Sequence, residues 1–315
     1  MSRAEPRTSM PRTAVRAGSL AAWLAAIRPN SLLVAISPVL VGAALGWQRS
    51  GHLDLAVALI VLAAALLVQI ITNLQNDVGY TVRGGESHGT RIGLPRATAL
   101  GWLPVRRVQV AIVAVAVVAT ALGLMLVAMR GWPVLAIGIA SLVGALAYMG
   151  GPKPIAYTPF GELTVFVFFG LVAVIGTDWV LTDAVGAATI VASVAIGSLA
   201  AAALAVNNQR DVAHDAMVGR RTFPVAFGAA AGQKLYALLL LGPFALTPLI
   251  ALLADAPPLL LPLLLLPSAW ALRRDFVACP PGLAFNAVLF RTFRLELVYA
   301  VLLASGAVLD RLWGG

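Results

Sequence analysis

Apolar residues fall along this chain in long unbroken runs, separated by short polar intervals, with little of the alternation that marks strands. Roughly 20 residues at about 1.5 Å each cross the ~30 Å of bilayer hydrocarbon. Nine runs approach or exceed that length, near 30–48, 54–75, 106–128, 132–149, 161–181, 184–207, 232–253, 257–273 and 288–308. In hydrocarbon no backbone group can turn to water, so each run must close its own hydrogen bonds, as an α-helix does. The predicted fold is an all-α integral membrane protein, a bundle of about nine transmembrane helices. The run near 257–273 is the least regular, because Pro257, Pro258, Pro262 and Pro267 remove amide donors and kink it. Residues 1–18, rich in Arg, Ser and Pro, predict a mobile basic arm, and residues 19–315 a single transmembrane domain.

Composition agrees: 60% of the 315 residues are hydrophobic and 11% charged, against about 25% charged in soluble domains, and the mean hydropathy is +0.92. The net charge of +9 raises the question of nucleic acid, and its distribution answers it. With the N-terminus inside, 19 of the 22 Lys and Arg fall in inside segments, and only Arg49, Arg130 and Arg311 fall outside. That asymmetry is what the positive-inside rule produces in a cytoplasmic (inner) membrane, so no nucleic-acid partner is needed to explain it. Cys279 is the single cysteine, which excludes an intrachain disulfide.

The chemistry sits where two runs end. Asn207, Asp211 and Asp215 recur every four residues, so on a helix they share one face. Two bare carboxylates 4 Å apart repel by about 4 kcal/mol at an effective dielectric of ~20. A hard divalent cation turns that repulsion into ligation, and Mg2+ favours one or two carboxylates with waters and phosphate oxygens. Asn73 and Asp77 end an earlier run in the same way, and the same 134 residues separate Asn73 from Asn207 and Asp77 from Asp211, as in an internal repeat. Asp77, Asp211, Asp215 and Asn73 are the expected metal ligands, with both halves on the cytoplasmic side.

Each acid cluster is followed by a basic, glycine-containing loop: Arg91 and Arg96 in the first, Arg220 and Arg221 in the second. Guanidinium groups grip phosphate oxygens in a planar fork, and these four are the expected diphosphate contacts. Lys153 supplies the one cation of the loop Gly150–Tyr157 and, with Tyr157, is placed beside phosphate or an acidic acceptor. Glu162 stands near a membrane boundary, His214 lies off the face of its neighbouring aspartates, and Asp178 and Asp183 read as solvated charge in an outside turn. A diphosphate held beside a greasy chain suits prenyl transfer, with Asp77, Asp211 and Lys153 at the chemistry.

The paired motifs Asn73–Asp77 and Asn207–Asp211–Asp215 resemble those of the UbiA-type membrane prenyltransferases. Within that superfamily Asn76-Asp77-Val78-Gly79, Arg91-Ile92-Gly93, Gly150-Gly151-Pro152-Lys153-Pro154 with Tyr157, and Gly161-Glu162-Leu163 look most like the branch that prenylates 1,4-dihydroxy-2-naphthoate. The resemblance implies nine helices, Mg2+, a polyprenyl diphosphate donor, an aromatic acceptor decarboxylated as the chain is attached, and hence menaquinone biosynthesis. It departs at Tyr80 and Glu86, where the resembled enzymes carry aspartates. Other acceptors (4-hydroxybenzoate or a tetrapyrrole) and, more remotely, a cation-coupled transporter are the competing expectations.

Overall fold

The computed structural model describes residues 15–85, 93–280 and 282–313, and these are helical with no strand among them. A short helix α1 (Leu20–Ile27) starts at Ser19, whose hydroxyl accepts the Ala22 amide at 3.3 Å. A 3-10 turn at Pro29–Leu32 leads into α2 (Leu33–Ser50). There follow α3 (Leu55–Val82), α4 (Val105–Arg130), α5 (Trp132–Met149), α6 (Gly161–Thr182), α7 (Ala187–Arg210), the short α8 (Val212–Met217) and α9 (Phe223–Phe227), and α10 (Ala229–Leu253). Eight helices among the described residues, α2 being counted together with α1, are long and apolar enough to cross a membrane.

The ninth run is broken, as its prolines predict. Pro257–Leu265 winds as a 3-10 helix and continues as α11 (Leu266–Ala278), before the closing α12 (Phe285–Trp313). Nine residues at about 2.0 Å and 13 at about 1.5 Å give this composite a reach of roughly 38 Å.

Helix α7 runs through the middle, packing on α2, α6, α10 and α12. Its buried Ala200–Ala203 stretch lets those neighbours come close. A second apolar cluster joins α1, α3, α4 and α5 through Ile71, Leu74, Leu103 and Val108. Large apolar side chains on α4 and α10, such as Val113, Val117 and Leu238, point outward, as lipid-facing positions do.

The 134-residue offset has a structural counterpart. It carries α2 onto α6, α3 onto α7 and the first residue of α5, Trp132, onto the first of α11, Leu266. Repeat-equivalent helices also touch. The Gly42/Gly46 pair of α2 lies against α6, where a Cβ on Gly42 would stand 2.5 Å from the Val174 carbonyl oxygen. Gly42→Leu is therefore expected to cost about 1–3 kcal/mol or more by forcing the helices apart, read as a lower unfolding midpoint in detergent.

Asp178 corrects an expectation. Instead of being solvated it is fully buried, its carboxylate accepting from Arg49 at 2.9 Å, Thr189 at 2.7 Å and the Gly186 amide at 3.2 Å. Asp183 is the exposed one, 3.4 Å from Arg130. Arg311 meets Gly51 at the same end. The three cations set apart by sequence, Arg49, Arg130 and Arg311, thus gather at one end of the bundle.

Candidate active site

The two Asn/Asp motifs meet at the opposite end. An apolar cavity of about 560 Å3 opens there among α2 to α7. Arg28, Asn30, Ser31, Gln69, Asn73, Asn76, Asn207 and Arg210 form its polar mouth, and Val61, Leu124, Val127, Val134, Phe168 and Phe169 line it deeper. The α6 wall winds as a π-helix over Phe166–Ile175, where Gly170 presses against the Gly197 backbone of α7. Such wide turns re-aim side chains toward a site.

Asp77 is fully buried, and its carboxylate holds a loop. Oδ2 accepts the Ala97 amide at 3.0 Å; Oδ1 accepts the Thr98 amide at 2.8 Å and the Thr98 hydroxyl. Three bonds to a charged acceptor, each worth about 1.5–3 kcal/mol, fasten the Arg96 loop to the end of α3. One turn earlier, Asn73 donates to the Ile27 carbonyl at 2.7 Å and to Ser31 Oγ at 2.8 Å, fixing the turn that carries Arg28 into the mouth.

The second half is built alike. Asp215 accepts from Arg220 Nη1 at 2.8 Å and from Thr222 Oγ1 at 3.5 Å. An Arg-x-Thr segment thus returns its threonine to the acid in both halves, Arg96-Ala97-Thr98 to Asp77 and Arg220-Arg221-Thr222 to Asp215. Asp211 takes both forks of the neighbouring Arg210, at 2.9 and 2.8 Å, and Arg210 reaches Asn286 of α12 at 2.7 Å. Burial opposes the charge of Arg220, but the Asp215 carboxylate, helped by Tyr148, Tyr80 and Asp211, more than offsets it and holds the guanidinium pKa above its ordinary value.

The remaining expected residues fall as follows. Asn207 lines the cavity. Tyr157 is half-buried, with Arg83 and Arg220 guanidinium groups 5.6 and 5.7 Å from its ring centre. Arg96 is buried over the Tyr80 ring at 4.8 Å. Arg221 is exposed, although its amide donates to the Tyr157 carbonyl at 3.1 Å. Lys153 is exposed on the loop after α5, outside the cavity lining. Arg91, with Glu86 and His88, lies outside the described residues. Glu162 is buried, bonded to Asn208 Nδ2 at 2.9 Å.

Sequence reasoning assigned Arg28 and Arg210 to orientation and gave Gln69, Thr98 and Thr222 no part. The repeated Arg-x-Thr after each acid cluster was the available signal for the threonines. Nothing local marks Gln69, which sits one helical turn before Asn73 on the same face.

No group of three or more His, Cys, Asp or Glu converges among the described residues. The Asp and Asn oxygens of the two motifs are hard donors of the kind Mg2+ takes, and a cation that keeps waters and binds phosphate needs only one or two carboxylates. The residues present therefore fit Mg2+ bound together with a diphosphate, and no all-protein cage is formed.

An apolar chamber in a helical membrane bundle, with asparagines, Arg28 and Arg210 at its polar mouth, defines a multi-pass membrane protein with an internal cavity. The chain belongs to the UbiA prenyltransferase family, whose profile matches residues 35–281, and it is a prenyltransferase enzyme. It is 35% identical over 227 residues to the 1,4-dihydroxy-2-naphthoate octaprenyltransferase of Escherichia coli, covering 70% of this chain and 73% of that one. With the enzyme of the same name from Mycobacterium leprae it shares 33% over 238 residues, 73% and 77% of the two chains. In fold it is similar to a UbiA homolog from Archaeoglobus fulgidus bound to DMAPP and Mg2+, with a TM-score of 0.64 at 16% identity over 91% of this chain and 99% of that one.

Proposed function

We propose that this enzyme transfers a polyprenyl group from its diphosphate to 1,4-dihydroxy-2-naphthoate, with loss of the carboxylate, giving demethylmenaquinone in its quinol form. The observation that carries the reading is the chamber itself, which opens on Asn73 and Asn207 at one end and is apolar along the rest of its length. Relatives named for this reaction, at more than 30% identity over about 70% of the chain, support the acceptor.

In this reading Asp211, Asp215 and Asn207 would hold the cation from one half, and Asp77 and Asn73 from the other. Bound Mg2+ would neutralise the diphosphate and make it a better leaving group. Arg96, Arg220, Arg221 and Arg91 bind phosphate oxygens, and the buried pair Arg220–Asp215 keeps its guanidinium aimed without reorganisation. The chamber walls, Phe168, Phe169 and Val172 among them, exclude water from the allylic carbon as its bond to oxygen breaks. A carbon–carbon bond to the ring forms, the diphosphate departs with the electron pair, and the ring carboxylate leaves as carbon dioxide. Tyr157 and Lys153 would contact the acceptor or the phosphate. The site end faces the cytoplasm of an inner membrane, because the sequence assigns 19 of the 22 Lys and Arg to that side and only Arg49, Arg130 and Arg311 to the other.

Purified protein in nanodiscs, given Mg2+ and geranylgeranyl diphosphate, is expected to prenylate dihydroxynaphthoate with loss of carbon dioxide, and EDTA to stop it; mass spectrometry reads the product. Prenylation of hydroxybenzoate alone would move the acceptor to the other branch of the family.

A further inference from the structure

Helix α3 is tied to α8 by a hydrogen bond between the Tyr80 hydroxyl and His214 Nε2. The two residues are 134 apart, the offset that relates Asn73 to Asn207 and Asp77 to Asp211. The contact therefore joins repeat-equivalent positions, each three residues beyond the acid of its own half. Tyr80 is fully buried and His214 is 6% exposed.

Both rings are held from other sides as well. The Arg96 guanidinium lies over Tyr80, and a Cβ on Gly85 would come within 2.5 Å of the Tyr80 ring. The Gly85 carbonyl lies 2.8 Å from His214 Nε2. A carbonyl only accepts, so Nε2 carries the hydrogen and shares it with the Tyr80 oxygen. His214 Nδ1 is then a bare lone pair, buried and without a hydrogen-bond partner.

We propose that Tyr80 and His214 are positioning residues: a clasp between the two half-sites that sets the distance from the Asp77–Arg96 half to the Asp211–Arg220 half, and so the fit of a diphosphate between them. The proposal rests on the function proposed above. Its physical basis is that Asp77 holds its own loop and Asp215 holds Arg220, while the bond from Tyr80 to His214 joins the end of α3 in the first half to α8 in the second. A displacement of about 1 Å in such a site costs on the order of 100-fold in rate.

The test compares Tyr80→Phe, His214→Ala, His214→Gln and His214→Asn in nanodiscs. It measures kcat and KM for geranylgeranyl diphosphate with dihydroxynaphthoate, Mg2+-dependent binding of geranylgeranyl diphosphate alone, and the unfolding midpoint. Glutamine places an amide N–H near the Nε2 position, whereas asparagine reaches only the Nδ1 position. Tyr80→Phe, His214→Ala and His214→Asn are expected to lose roughly 10- to 100-fold in kcat with weaker diphosphate binding and a nearly unchanged midpoint. His214→Gln should recover most of the rate, and Tyr80→Phe/His214→Ala should be no worse than the poorer single variant.

Wild-type rates in Tyr80→Phe or His214→Ala, additive losses in the double variant, or rescue by asparagine but not glutamine would each overturn the clasp. The last result would transfer the role to Nδ1. Should the wild-type protein prenylate neither acceptor, the functional reading falls, and the same pattern of losses in diphosphate binding still decides the clasp.

Discussion

Asp211→Asn is expected to lower kcat for prenyl transfer by about 1000-fold while the protein stays folded. The Asp211 carboxylate takes both forks of Arg210, and Arg210 in turn reaches Asn286 and lines the mouth of the chamber. Replacing the carboxylate with alanine would leave a buried guanidinium without its counter-charge, a loss of about 3–5 kcal/mol that would confuse a catalytic defect with a folding defect. Asparagine also removes the counter-charge of Arg210 but keeps the shape and one acceptor, so the midpoint is expected to fall less than in Asp211→Ala while the negative charge a cation needs is lost. The informative measurement is a Mg2+ titration of rate, paired with the unfolding midpoint. A rate within ten-fold of wild type at ordinary Mg2+, with the midpoint unmoved, would remove Asp211 from the site.

The second large effect belongs to Asp77→Ala, expected to abolish transfer and to destabilise the protein together. Two buried amides, of Ala97 and Thr98, and the Thr98 hydroxyl lose their acceptor at once. Each unsatisfied donor costs about 1–3 kcal/mol, so a total of several kcal/mol is expected and the midpoint should fall by many degrees. The released loop carries Arg96, which then no longer lies over Tyr80, so the first half loses its acid and its guanidinium in one substitution. Thr98→Val separates the two roles. It removes one bond from the loop and leaves the Asp77 charge in place, and is expected to give a modest loss of stability and rate. Activity retained in both Asp77→Ala and Asp211→Ala would sink the assignment of the site to the paired motifs.

The departure at Tyr80 illustrates how far sequence reasoning reaches. Its position after the first motif is plain in the chain, and so is its failure to match an acid. Its partner is 134 residues away, and no local pattern says that a phenol and an imidazole in different halves will bond. Asp178 shows the opposite failure. A carboxylate beside a short polar turn reads as solvated, yet the nearby Gly186 amide and Thr189 and the distant Arg49 of α2 close over it, because α2 packs against α6 at that end of the bundle. His214 was set aside as lying off the face of its neighbouring aspartates, which holds, and the face it does occupy turns out to be the one toward the first half.

What the sequence by itself determined follows from short-range physics. Runs of about 20 apolar residues must form helices in a medium that cannot satisfy backbone groups, prolines must break the run after residue 257, and Asn73 and Asp77 share a face of α3, whereas the chain breaks at Asp211 between α7 and α8. The internal offset related the two Asn/Asp motifs of the proposed site, and the distribution of arginines separated the two ends of the bundle. Tertiary structure alone decided which oxygens and nitrogens those side chains meet: that Asp77 holds the Arg96 loop, that Arg210 turns from an orientation charge into part of the chamber's mouth, and that Tyr80 reaches His214. Hydrophobic periodicity records which face of a helix leaves water, but a hydrogen bond depends on two side chains arriving within about 3 Å from separate elements, and only the packed bundle fixes that distance.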